Sequence, residues 1–184
     1  MLTEDVDVDI APFDLQDRLD EVRALARTAM TDAGQPGGIL VAKYLDEVTE
    51  LDGLLALGAH RGQRLVGMLV GWPTASREWW PHHVRPALTA THNEHWLDDA
   101  FELAELHVHP DVQRHGLASA LLDEVRLRID QPRIVLGTNA LNNQRARQFY
   151  RGQGFRTLTG PFEWLGLDMR IFVLGLEFSG SSRG

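Results

Sequence analysis

The 184-residue chain contains no cysteine. That excludes a disulfide framework, a thiolate zinc site and a catalytic thiol, and it fits a reducing, cytoplasmic setting. Long apolar runs are also missing. No stretch approaches the roughly 20 residues needed to cross a bilayer, and the opening MLTEDVDVDIAP is acidic where a secretion signal is basic and then apolar. Positive charge is scarce: 18 Lys and Arg face 26 Asp and Glu, a formal net charge of −8. The surface field therefore opposes nucleic acid and suits a neutral or cationic small partner. Neither G-x-x-x-x-G-K-[ST] nor G-x-G-x-x-G occurs, which removes P-loop and Rossmann chemistry, and Ser119 lacks the flanking glycines of a nucleophile elbow. No H-E-x-x-H accompanies His82, His83, His92 and His95, so no metal is expected.

What is present is the composition of a folded protein, 43% hydrophobic and 24% charged. The length suits one domain, expected over residues 1–178, with SGSSRG at 179–184 as a flexible tail. Leu15, Leu19, Val22, Leu25, Ala26 and Ala29 recur at helical spacing up to Gly34, and a second short helix is expected over ILVAKYLDEVTE. LLALGAH and RLVGMLVGW, joined by RGQ, read as a hairpin. Residues 73–99, rich in Trp and His, form a long insert of the kind that becomes a lid, a binding loop or local helices, packed on the domain by Trp79, Trp80 and Trp96. A strand over FELAELHVHP, a helix from about Arg114 to Asp130, a strand RIVLGT, a helix NNQRARQFYRGQ and a last strand MRIFVLGLEF complete the chain. The strand–helix–strand unit in the middle predicts a parallel pair.

The junction in HPDVQRHGLASALL is the first chemical signal. A helix start exposes backbone N–H groups and the positive end of the helix dipole, so it favours an anion. Gly116 and Ala118 permit close approach, and Arg114 adds a full positive charge. The group that fits is a phosphate or pyrophosphate.

These residues carry a family resemblance. ELAELHVHPDVQRHGLASALL resembles the signature of the GNAT superfamily of N-acetyltransferases, L-x-V-x-P followed after two residues by [Q/R]-x-x-G-x-[G/A], through Leu106, Val108, Pro110, Gln113, Gly116 and Ala118. NNQRARQFYRGQGF is similar to the next motif of that family through Asn143, Ala146, Phe149, Tyr150, Gly154 and Phe155. The resemblance implies an α/β fold whose mixed, mostly antiparallel sheet is splayed between its central parallel strands and flanked by helices. It implies acetyl coenzyme A as donor, its pantetheine arm beside the backbone of Leu106, His107 and Val108. Its pyrophosphate would lie on Gln113, Arg114, His115, Gly116, Leu117, Ala118 and Ser119, with Asn143 and Tyr150 also at the cofactor.

Acetyl transfer to an amine needs a base for the ammonium proton and an acid for the departing thiolate. Glu102 falls where some family members carry their base, with Glu105 in reserve, and Tyr150 stands as the acid. His107 and His109, flanking Val108, are read as packed or hydrated. Trp79, Trp80 and Trp96, together with Glu163, Trp164 and Asp168, are expected to wall the site of a small-molecule or peptide amine. The rival readings are a non-catalytic coenzyme A sensor and an acetyltransferase acting on protein N-termini or lysines; monomer and homodimer are both compatible with the sequence.

Overall fold

The computed structural model describes residues 8–34, 44–141 and 143–178. The expected tail at 179–184 and the first part of the second short helix, residues 39–43, lie outside the described residues; residues 44–48 are helical. In chain order the elements are β1 (Asp9–Pro12), α1 (Leu19–Asp32), β2 (Leu55–Arg61), β3 (Arg64–Pro73), α2 (Trp79–Ala90), β4 (Ala100–Val108), α3 (Leu117–Arg128), β5 (Arg133–Asn139), α4 (Gln144–Gly152), β6 (Arg156–Thr157), β7 (Phe162–Glu163) and β8 (Arg170–Glu177). The strand order is β1-β2-β3-β4-β5-β8-β6, with β7 also on β8. This is a mixed sheet containing the expected parallel pair, β4 with β5. Two compact units divide the chain. The first holds Met1–Glu50, Leu54–Val70 and Glu105–Arg128; the second holds Leu51–Gly53, Gly71–Ala104 and Ile129–Gly184.

In the first unit the predicted apolar stripe is buried in full: Leu15, Leu19, Val22, Leu25, Ala26 and Ala29 are all below 9% exposed. Each large aliphatic side chain so buried contributes about 1.5–3 kcal/mol. Gly34, just past α1, has φ +67°, a conformation that glycine adopts without strain. The β2–β3 turn falls on RGQ as expected, with Gly62 at φ +61°. Leu121, Leu122 and Val125 form the buried face of α3, which packs on β2. Leu121 also lies over Gly67 of β3, where an added Cβ would stand 3.5 Å from its Cδ1. Strand β1 was not anticipated; four residues ending in Pro12 carry little strand signal, and the edge of a sheet is where proline is tolerated. Arg18 donates from Nε and Nη2 to Glu21 at 3.0 and 2.6 Å, which holds the Glu21 carboxyl below its usual range.

In the second unit the insert is a folded part of the core. Trp80, Val84 and Leu88 of α2, with Trp96 and Leu97 of the following 3-10 turn, pack with Val135, Leu158, Ile171 and Val173. Periodicity hid this helix because it contains two prolines. Pro81 sits in the first turn, where a missing N–H costs nothing, and Pro86 lies inside the helix. Trp96 is 1% exposed and lies under the guanidinium groups of Arg156 and Arg133, at 4.4 and 5.7 Å from its ring. Trp79 departs from the expectation: it is 44% exposed, because the first turn of α2 turns it away from the face that buries Trp80.

The parallel register joins Ala100–Glu102 to Arg133–Val135 and stops there, although both strands run on. On its other side β5 pairs with β8 along its whole length, from Arg133↔Glu177 to Asn139↔Ile171. At the level of Glu102, Gly71 of β3 lets the strands close up: a Cβ there would lie 2.4 Å from the Glu102 carbonyl oxygen and from the Phe101 ring. That oxygen is part of the sheet and has nowhere to go. Gly71→Ala should lower stability by about 1–3 kcal/mol, read as an earlier midpoint in urea unfolding.

Candidate active site

In the first unit, β4 ends at Val108 and a short 3-10 turn, Pro110–Val112, leads to an extended Gln113. Gln113 Nε2 donates to the Val108 carbonyl at 3.0 Å, so the side chain fastens the loop to the strand it leaves. Arg114 and Gly116 then take left-handed conformations, φ +66° and +80°. This corrects the expected helix start at Arg114. Residues with positive φ have no place in a right-handed helix, and α3 begins three residues later at Leu117. Its first bond runs from Ala120 N–H to the Gly116 carbonyl, so the amides of Leu117 and Ala118 precede the helical ladder. Arg114, His115 and Gly116 are exposed, Leu117 to Ser119 half-buried, and no atom lies within 4 Å of a Cβ placed at Gly116. Successive amides in alternating conformations, a helix N-terminus and one arginine make an open concavity matched to a multiply charged anion. The residues present fit a pyrophosphate.

Upstream on β4, Glu105 is 8% exposed and held at both oxygens. Tyr44 donates its hydroxyl to Oε1, and Oε2 lies 2.6 Å from His107 Nε2. His107 is therefore neither simply packed nor simply hydrated, and Glu105 faces neither solvent nor an arginine. His109 is tied down differently: its Nε2 meets Arg64 at 2.9 Å, and its Nδ1 accepts from the Asp111 amide at 3.3 Å. Leu106 and Val108 are half-buried.

The second unit carries the remaining candidates. Glu102 is 5% exposed and accepts from Trp72 Nε1 at 3.2 Å. Tyr150, on the last turns of α4, is 8% exposed and packs edge-on against Phe149 and Phe155, each at 5.2 Å between ring centroids. Asn143, immediately before α4, donates from Nδ2 to Thr138 Oγ1 of β5 at 2.9 Å. Between the buried Leu136 and Thr138, Gly137 is exposed, and this lies beyond the point where β5 stops pairing with β4. A glycine there leaves bare backbone for a ligand to approach.

In the same unit Trp79 and Trp164 meet at right angles, 5.9 Å apart, with His83 4.6 Å from Trp79. Beside them Glu163, Gly166, Leu167, Asp168, Met169 and Arg170 line a cavity of about 420 Å³. Among the described residues no cluster of His, Asp and Glu is placed to hold a metal ion, and no helix is long and apolar enough to cross a membrane.

Tyr44 and the Glu105–His107 contact were missed from the sequence. The contact has a visible signal, since residues two apart on a strand share a face and E-L-H puts acid and imidazole side by side. Tyr44 has none, because it reaches Glu105 across 61 positions of chain.

Residues 52–157 match the family described as Acetyltransferase (GNAT) domain. A GCN5-like protein acetyltransferase of Mycobacterium tuberculosis is 29% identical over 117 residues, 60% of this chain and 56% of that protein, so the chain spans little more than half the length of this relative. Among solved structures, the ribosomal-protein-S18-alanine N-acetyltransferase from Escherichia coli is similar at TM-score 0.62 and 17% identity, covering 97% of this chain and 98% of that one. PaiA N-acetyltransferase from Thermoplasma acidophilum, solved in complex with coenzyme A, is similar at TM-score 0.61 and 16% identity, covering 94% and 99%. At these identities the likeness is one of fold.

Removing the side chain that fastens the loop tests the local account. Gln113→Ala should cost about 1 kcal/mol and speed amide hydrogen exchange in residues 113–118 while leaving α1 unchanged.

Proposed function

The chain belongs to the GNAT acetyltransferase family, and on that premise we propose that it moves acetyl from acetyl coenzyme A to a primary amine of a small molecule or peptide by direct attack. The observation that carries this reading is the loop from Gln113 to Ser119, with its two left-handed residues, open Gly116 and exposed Arg114 ahead of α3. It would hold the pyrophosphate, with the backbone of Leu106, His107 and Val108 along the pantetheine arm and Asn143 at the cofactor. When bound, acetyl coenzyme A supplies an acyl carbon already activated as a thioester, so an N–C bond forms as the C–S bond breaks, with no acyl-enzyme in between.

What the chain must add is proton traffic. By its place in the motif Glu102 is the base, with Glu105 second, and burial keeps bulk water from competing for either carboxylate. Tyr150, its ring packed against Phe149 and Phe155, is the acid whose hydroxyl supplies a proton to the departing sulfur. For the acceptor, Trp79 and Trp164 offer aromatic faces and Glu163 and Asp168 offer negative charge, a combination suited to a cationic amine.

Reversing the charge in the loop should show in binding alone. Arg114→Glu should weaken coenzyme A by about tenfold or more in calorimetry, which corresponds to about 1.4 kcal/mol, with a shallower salt dependence; unchanged affinity would mean that this loop does not hold the anion. Glu102→Gln and Tyr150→Phe should each lower kcat by about 100- to 10,000-fold without loosening coenzyme A, measured as thiol release against a panel of amines. Wild-type protein that binds coenzyme A yet releases no thiol with any amine would leave a sensor, not a transferase.

A further inference from the structure

We propose that His107 is the base that deprotonates the acceptor ammonium, and that Glu105 and Tyr44 are positioning residues acting through it. The proposal rests on the acetyltransferase reading above and departs from it in the identity of the base.

An ionised carboxylate accepts hydrogen bonds and donates none, so the 2.6 Å contact between Glu105 Oε2 and His107 Nε2 places a proton on Nε2. In its neutral form the ring that makes this contact carries its proton on Nε2 and presents an unprotonated Nδ1. Nδ1 meets no hydrogen-bond partner among the described residues. His109, two positions further on, has partners at both nitrogens, Arg64 at one and the Asp111 amide at the other. Among the described residues, both nitrogens of His109 have partners and Nδ1 of His107 has none.

Both side chains are largely buried, Glu105 at 9% and His107 at 14% exposed. The other Glu105 oxygen is taken by the Tyr44 hydroxyl, which prevents the carboxylate from turning away from the ring. A buried carboxylate that orients an imidazole and stabilises the imidazolium once it forms is a recurrent way to build a base near neutral pH. The titratable groups recorded on this side are Tyr44 from the helical turn at 44–48, Glu105 and His107 from β4, and the Arg64–His109–Asp111 group beyond them. Glu102 belongs to the other unit and is tied to Trp72.

The proton balance is simple. The acceptor ammonium gives one proton to Nδ1, and the imidazolium keeps its Nε2–H on Glu105. The freed lone pair forms the N–C bond as the thioester C–S bond breaks, and the nitrogen's second proton replaces the one that Tyr150 gives to the departing thiolate. After turnover Nδ1 returns the proton to solvent.

Two independent readouts test this. In protein without acetyl coenzyme A, long-range 1H–15N NMR should find His107 with its proton on Nε2, and Glu105→Gln should disturb that tautomer and shift the ring's titration, whereas Glu105→Asp should restore it in part. A proton found on Nδ1, or a titration indifferent to Glu105→Gln, overturns the assignment whether or not the protein is a transferase. In turnover, His107→Gln should lower kcat about 100- to 10,000-fold and remove the limb of the kcat/KM pH profile that reports the base. Glu105→Gln and Tyr44→Phe should shift that limb with smaller losses of about 10- to 100-fold. A His107→Gln protein within threefold of wild type, with Glu102→Gln strongly impaired, would return the role of base to Glu102 and leave the dyad structural.

Discussion

The parallel register between β4 and β5 ends at Glu102↔Val135, and much of the molecule follows from that short agreement. Backbone N–H and C=O groups must be paired or hydrated. Up to Glu102 the sheet satisfies them, and past it Leu103 and Ala104 on one strand and Leu136 and Gly137 on the other run on without a mutual register. β5 can afford this because β8 pairs it along its full length on the opposite side. β4 is held at the same level by the Gly71 contact, where the neighbouring strand comes too close for any side chain. Glu102, one of the candidate bases, thus stands where the strand is fixed on both sides, and rigid placement is what proton transfer over hydrogen-bond distances demands.

Charge works on two scales. The chain as a whole is acidic, with a net −8 that would repel a polyphosphate from afar. Screening confines that repulsion to about 8–10 Å at ordinary salt. Inside that range the local sources are the amides ahead of α3 and the exposed Arg114. An anion that reaches the loop therefore meets a field opposite in sign to the one that surrounds the molecule. The same acidity would favour a cationic amine, the acceptor proposed above, at the surface that carries Glu163 and Asp168.

Much of this was legible in the sequence, and the failures have physical causes. The α1 stripe, the RGQ hairpin, the strands β4, β5 and β8 and the helices α3 and α4 follow from apolar spacing and from where glycine and proline fall. The α2 helix did not, because Pro81 and Pro86 are read as breakers although the first turn forgives one and tertiary packing of Trp80, Val84 and Leu88 overrides the other. Strand β1 did not, because its stability comes from pairing with β2, at Asp9↔His60 to Pro12↔Leu57, and not from its own four residues. The motif located the loop but placed its helix three residues early, since spacing reports which residues are present and not the sign of φ at Arg114. The meeting of Tyr44 with Glu105 is a product of the folded chain alone.

Arg114 holds a backbone conformation that glycine would adopt without strain, at a cost of order 1 kcal/mol for any residue with a Cβ. The site therefore sets two design goals against each other at one position. Substituting glycine there would relax the chain and make the protein harder to unfold, while removing the one full positive charge from the turn. A screen that selected only for thermal stability would drift toward glycine at 114, and a screen that selected for retention on an anionic resin bearing the donor would hold the arginine. On the anion-binding role proposed for Arg114, stability and recognition are in this turn alternative uses of a single side chain.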